Sequence, residues 1–217
     1  MEKRDIIKIT SEYIKKSSYN ESSGHDWWHI YRVHNLALKI NEKEQKNSYV
    51  ISMIALLHDI FDEKFSTGNI QDNIIKLLKE LGVYDFISNE ELENILYSIE
   101  NLGFKGGFNT TKLSAEGQIV QDADRIDAIG AIGIARTFAY GGKKGIPIYD
   151  PDQGIVEINS QDDYRNLKRH TINHFYEKLL KLKDTLNTDT AKQIAIKRTI
   201  YMEEFLNEFY AEWNLTE

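Results

Sequence analysis

Apolar residues recur at helical spacing through most of the chain. Ile51, Ile54, Ala55 and His58 fall at i, i+3, i+4 and i+7, the pattern of one buried helix face with a histidine as its polar member. Ile30, Val33, Leu36/Ala37 and Ile40 repeat it, and Ile119, Ala123, Ile126, Gly130 and Gly133 trace a seam ending in small residues suited to close helix approach. The pattern predicts helices near 2–18, 26–44, 48–60, 70–82, 89–102, 114–139, 161–186 and 189–213. Prolines break helices, and the chain has only two, Pro147 and Pro151, close together. Strand signals are scarce: IPIYDPDQGIVEI supports at most a short hairpin near 146–158. No internal repeat or low-complexity segment interrupts the pattern. The expectation is a single all-α domain over residues 1–217.

Composition narrows the class. A 41% hydrophobic and 28% charged chain of 217 residues suits a globular domain with a sizeable core. No apolar run approaches the roughly 20 residues of a membrane span, and MEKRDIIKITSEYIKK lacks the apolar block of a signal peptide, so no membrane role and a cytoplasmic location are expected. The absence of cysteine rules out disulfides and thiolate metal sites. A net charge of −7 argues against binding nucleic acid polymers, whose phosphates call for a basic surface. It leaves room for a small phosphorylated substrate held by local cations or a metal.

Three segments place polar groups where packing alone would place aliphatic ones. GHDWWHIYRVHNLA (Gly24–Ala37) holds His25, His29 and His34, with His25, His29 and Arg32 forming a ridge at one-turn spacing. ALLHDIFDEKF (Ala55–Phe65) puts His58 on an apolar face, followed at once by Asp59 and a turn later by Asp62 and Glu63. IVQDADRIDAIGAIGIAR (Ile119–Arg136) interleaves Asp122, Asp124 and Asp127 with alanine and isoleucine. Ionised carboxylates are rarely buried unless paired or bound to metal, and a mixture of histidine and carboxylate suits Mn, Fe, Mg or Zn. Taken singly, each piece is equally a hydrogen-bonded core histidine or a solvated carboxylate. The lysine- and glycine-bearing stretches GFKGGFN (Gly103–Asn109) and YGGKKGIP (Tyr140–Pro147) read as loops suited to phosphate contact or a lid.

In order, His29, then His58-Asp59, then Asp124 resemble the HD-domain metal-dependent phosphohydrolase superfamily. Within it, the three segments are similar to the small stand-alone bacterial HD proteins of the YpgQ/YedJ type, and the similarity extends through GGKKGIPIYDP and HFYEKLLKLKDTLNT. The resemblance implies an HD-type helical bundle, with a metal-binding core at about 20–140 and C-terminal helices at about 161–213 packing on it. It implies His29, His58, Asp59 and Asp124 as ligands of one divalent ion, Mn²⁺ first and Mg²⁺, Fe²⁺, Co²⁺ or Ni²⁺ as alternatives. Asp122 and Asp127 remain supporting or structural. Dinuclear members add histidines between the HD pair and the late aspartate; residues 60–123 contain none, which favours a mononuclear site.

Asp62 and Glu63 stand where related hydrolases carry a catalytic acidic pair, which implies that they orient or deprotonate water. His25, Arg32, Lys64, Lys105 and Arg125 are candidate phosphate contacts; Arg125 lies about 100° round a helix from Asp124 and serves equally in a salt bridge. His170 and His174 have helical metal-like spacing but no nearby carboxylate cluster, so His174 and Lys178 are read as a pocket wall. The activity implied is hydrolysis of (deoxy)nucleoside triphosphates to monophosphate and pyrophosphate. A 5′-nucleotidase, a phosphodiesterase and a slow nucleotide-binding sensor are the alternatives, and homodimerisation is left open. Non-haem iron oxygenases use a similar ligand mixture, but their sites sit on β-scaffolds.

Overall fold

The computed structural model describes residues 1–18, 26–60, 69–103, 111–154 and 170–216. Among them every regular element is a helix and there is no strand, as the periodicity predicts. The helices are α1 (Lys3–Ser17), α2 (Trp27–Glu44), α3 (Ser48–Leu57), α4 (Ile70–Glu80), α5 (Asn89–Asn101), α6 (Ala115–Asp127), α7 (Gly130–Lys143), α8 (Asn173–Glu177) and α9 (Asp189–Asn214). Short 3₁₀ stretches add Tyr84–Phe86 and Leu179–Thr185. No described helix is long and apolar enough to cross a membrane. The chain divides into two compact units, the boundary falling inside α6 between Ala123 and Asp124.

The first unit is built round α3. Every residue from Tyr49 to Leu57 is buried, and a helix apolar on all sides belongs in a core. It packs against α1, α2 and α5. Its start is fixed by Asn47, whose side-chain oxygen accepts the backbone N–H groups of Tyr49 (3.1 Å) and Val50 (3.4 Å). Ser88 and Glu91 form a capping box at α5, and Asn69 caps α4. Helix α2 ends at Gln45, which adopts the left-handed conformation at φ 54°.

In the second unit α9 packs against α7 and the Leu179–Thr185 turn, and α8 against that same turn. Fully buried Phe175 packs against the rings of Phe138 (6.1 Å) and Phe205 (5.9 Å, stacked), which also meet each other at 5.9 Å. Tyr149 meets Phe209, Tyr210 and Trp213 of α9 edge-on, together with His170.

Three sequence expectations change. The helix predicted over 114–139 is two helices. Ile129 is extended, and Gly130 at φ 78° occupies a region that favours glycine. The aliphatic stem of Arg198 packs 3.1 Å from where a Gly130 Cβ would stand, while its guanidinium donates to the Ile126 carbonyl at 2.6 Å. Next, the Tyr140–Pro147 stretch is not all loop: α7 runs to Lys143. It ends at Gly145 (φ 65°), where the N–H groups of Ile146 and Gly145 bond back to the Gly141 and Gly142 carbonyls. Gly141 itself lies against Thr171 too closely for a side chain. Finally, the helix predicted over 161–186 is, from residue 170 on, a short α8 and a 3₁₀ stretch separated at Lys178, whose φ −132°, ψ −60° leaves the helical region.

The hairpin expected near 146–158 lies partly outside the described residues. Within them, the carbonyls of Pro147 and Ile148 accept the N–H groups of Thr171 (2.8 Å) and Ile172 (3.0 Å) rather than pairing inside the segment.

Candidate metal centre

Two helix ends bring the first polar side chains together. Asp26 caps α2, its carboxylate accepting the His29 backbone N–H at 3.0 Å, which fixes His29 in the first turn of the helix. His29 is 1% exposed. His58 follows the last residue of α3 and Asp59 comes directly after, both half-buried. A helix C-terminus carries partial negative charge and so favours a cation beside it.

The orientation of His58 is set by its own helix. Its Nδ1 lies 2.8 Å from the Ala55 carbonyl, an acceptor only, so Nδ1 carries the proton and donates. That makes Nε2 the nitrogen carrying the lone pair, the tautomer and buttress found behind metal-bound histidines. This Nε2 faces His29 Nε2, 3.4 Å away, with ring centroids 5.4 Å apart. Asp59 Oδ2 lies 3.5 Å from the same His29 nitrogen.

Among the described residues, one ligand atom from each of His29, His58 and Asp59 lies within 4.8 Å of the others. The spacing is itself a test. Two ligands each about 2.1 Å from one ion stand about 3.0 Å apart at a right angle and about 3.4 Å apart at the tetrahedral angle. The measured 3.4 and 3.5 Å therefore match donors shared by a single ion. Two imidazoles and a carboxylate fit a divalent metal of borderline or hard character.

The other predicted residues divide as follows. Asp124, half-buried near the end of α6, belongs to the second unit. On the same helix Asp122 is fully buried, and Asp127 is held by Arg136 Nη1 at 2.7 Å, which gives it a structural role. Arg125 donates to the Thr185 carbonyl, so this candidate phosphate contact ties α6 to the turn before α9. Arg32 is half-buried on α2. His25, Asp62, Glu63, Lys64 and Lys105 lie outside the described residues.

His174, half-buried, has its Nδ1 3.9 Å from a carboxylate oxygen of buried Glu177, and half-buried Lys178 follows one turn on. His170 is structural: its Nδ1 accepts the Asn173 N–H (3.1 Å), leaving Nε2 to face the Gln153 carbonyl (3.3 Å). His34, the third histidine of the Gly24–Ala37 stretch, is structural as well. Its Nε2 lies 3.0 Å from the Ser52 hydroxyl, and burial lowers its pKa below the ordinary 6.5.

Sequence reasoning missed two supports of this centre, the Asp26 cap and the Ala55 carbonyl. An aspartate just before a helix is a readable cap signal; a carbonyl acceptor leaves no trace in residue identity.

The chain is similar to known proteins over most of its length. The HD-domain family model matches residues 27–129, a stretch containing His29, His58, Asp59 and Asp124. YpgQ of Bacillus subtilis is 37% identical over 191 residues, 87% of this chain and 84% of that protein. Its crystal structure in complex with ADP superposes with a TM-score of 0.75, covering 98% of this chain and 97% of that one at 31% identity. A crystal structure from Lactobacillus plantarum gives 0.86 at 38% identity, over 99% of this chain and 100% of the other. An HD-superfamily hydrolase of Bacillus thuringiensis gives 0.76 at 43% identity, over 98% and 99%.

Proposed function

The chain belongs to the HD superfamily, and from that premise we propose that it is a divalent-metal-dependent phosphohydrolase acting on nucleotides. The observation that carries the reading is the convergence of His29 Nε2, His58 Nε2 and Asp59 Oδ2 on one point. Nucleotides are favoured as substrates because YpgQ, a relative spanning almost the whole chain, is known in complex with ADP. The reaction proposed is cleavage of (deoxy)nucleoside triphosphates to monophosphate and pyrophosphate. That end-to-end similarity also supports treating residues 1–217 as one HD phosphohydrolase domain.

In this reading Asp124 is the fourth ligand, on the strength of its place in the HD pattern, and Mn²⁺ is the first choice of ion. A bound divalent ion would polarise a phosphoryl oxygen and raise the acidity of water beside it. The chain's own groups do the rest. The Ala55 carbonyl holds the Nδ1 proton of His58, which directs the Nε2 lone pair toward the ion. His29 is locked by its burial and the Asp26 cap. Asp62 and Glu63 are assigned the water, to orient it and take its proton as it attacks phosphorus. His25, Arg32, Lys64, Lys105, Arg125, His174 and Lys178 are the candidate contacts for the phosphates.

Asp62→Ala is expected to keep its metal but lose about 10²–10⁴-fold in rate, the usual contribution of a positioned acid–base group. Metal content and turnover measured on the same sample check it; loss of metal would make Asp62 a ligand instead. The reaction itself is read by incubating a nucleotide panel with Mn²⁺ and resolving the products by ³¹P NMR. Pyrophosphate with monophosphate is the expected result. Orthophosphate from monophosphates would replace this reading with a 5′-nucleotidase, and no turnover despite bound nucleotide and metal would replace it with a sensor.

A further inference from the structure

Next to the metal-binding histidine, the first turns of α2 expose two large aromatic side chains. Trp28 is 51% and Tyr31 47% exposed, whereas their neighbour Trp27 is buried. The Tyr31 ring stands edge-on to Trp28 at 5.8 Å and 79°, and tilted to Trp27 at 6.1 Å. Tyr31 thus braces Trp28 against the buried indole. Exposing so much aromatic surface in the turn that carries His29 gains nothing for packing.

Helical geometry gives these positions an order. With about 100° per residue, Tyr31 lies about 60° to one side of Trp28, Arg32 about 40° to the other, and His29 about 100° round. Across the surface of α2 the sequence is therefore aromatic pair, then guanidinium, then metal ligand. At a helix radius of about 5 Å this arc of about 160° measures about 14 Å, comparable to the reach of an extended nucleotide. A nucleotide has the same order of chemistry: a flat π-face, then anionic phosphates, then the phosphorus that reacts.

We infer that Trp28, braced by Tyr31, is the stacking surface for the nucleobase of the substrate, with Arg32 beside the phosphates. This rests on the nucleotide reading of the metal centre and adds to it the residue that grips the base. Stacking reads a π-face and forms no base-specific hydrogen bonds, so it tolerates different bases. The site accordingly takes purine and pyrimidine nucleotides alike, purines more tightly for their larger face.

The test compares two ligands that differ in whether they carry a base. Affinities of a methylene-bridged, hydrolysis-resistant ATP analogue and of inorganic tripolyphosphate are measured by calorimetry, with Mn²⁺ present, for the wild-type chain, Trp28→Ala and Trp28→Phe. Circular dichroism and metal content are read on each. Trp28→Ala is expected to weaken the analogue about tenfold or more while tripolyphosphate binding and metal content stay unchanged, and Trp28→Phe to recover most of the loss. Unchanged analogue affinity in Trp28→Ala would overturn the inference and leave the nucleotide reading standing. Equal weakening of both ligands would also overturn it, by showing that Trp28 supports the helix. A wild-type chain that binds tripolyphosphate but no more tightly the analogue would remove the base from recognition. Binding of neither would sink the nucleotide reading itself, and this inference with it.

Discussion

Replacing His58 or Asp59 by alanine is expected to abolish metal retention and hydrolysis together. The three converging donors leave little redundancy: two contacts, 3.4 Å from His29 Nε2 to His58 Nε2 and 3.5 Å to Asp59 Oδ2, define the site. Loss of a partner one shell further out commonly costs about 10–100-fold in metal affinity or activity. Loss of a direct donor should exceed that. The effect on folding should be small by comparison, since both side chains are half-buried at the end of α3 and the core residues Tyr49–Leu57 stay in place. Elemental analysis after dialysis, with phosphate release on the same samples, checks the expectation. A variant that kept full metal content and activity would overturn the assignment of the centre.

Much of this centre was legible in the sequence because its parts violate a periodic rule. His58 continues the apolar spacing of Ile51, Ile54 and Ala55 just past the end of α3, and His29 falls among the buried positions of α2, where aliphatic residues otherwise recur. A polar residue at a core position needs a partner, and the partners came from two residue chemistries: histidine and carboxylate. What residue identity does not carry is orientation. The His58 tautomer depends on the Ala55 carbonyl, a group every residue possesses. The role of Asp127 was equally hidden, since its partner Arg136 stands nine positions on, across the corner between α6 and α7.

The fold shows the same division. Helices α1 to α5 follow their predicted spans within a few residues because amphipathic periodicity and side-chain caps act locally. Residues 170–186 do not, because tertiary packing decides there. Phe175 is drawn into a cluster with Phe138 and Phe205, and the backbone leaves the helix at Lys178 to allow the turn that α9 covers. The α6–α7 corner was misread for a subtler reason: Ala128 and Ile129 continue the apolar period, so nothing in hydropathy marks the break. The glycines mark it, and a seam of small residues reads equally as close helix packing or as a corner.

That ambiguity makes Gly133 the most discriminating position for stability. In an exposed helix interior, glycine to alanine ordinarily stabilises by about 0.5–1 kcal/mol. At Gly133, in the first turn of α7, a Cβ would stand 2.2 Å from the Ala128 carbonyl oxygen and 2.6 Å from its carbon. The obstacle is backbone, and the backbone there is already committed. Gly130 holds its left-handed turn, and Arg198 binds the Ile126 carbonyl just before it. Relief therefore requires the corner to open. Gly133→Ala is expected to destabilise the second unit by about 1–3 kcal/mol or more. Gly142, exposed in the same helix with nothing within 4 Å of its Cβ position, is the internal comparison, and Gly142→Ala should be neutral or stabilising. Urea unfolding of both variants reads the difference as midpoints moving in opposite directions. If the two moved together, the close approach of Gly133 to Ala128 would not be what shapes the corner, and the break would have to come from the Gly130 turn alone.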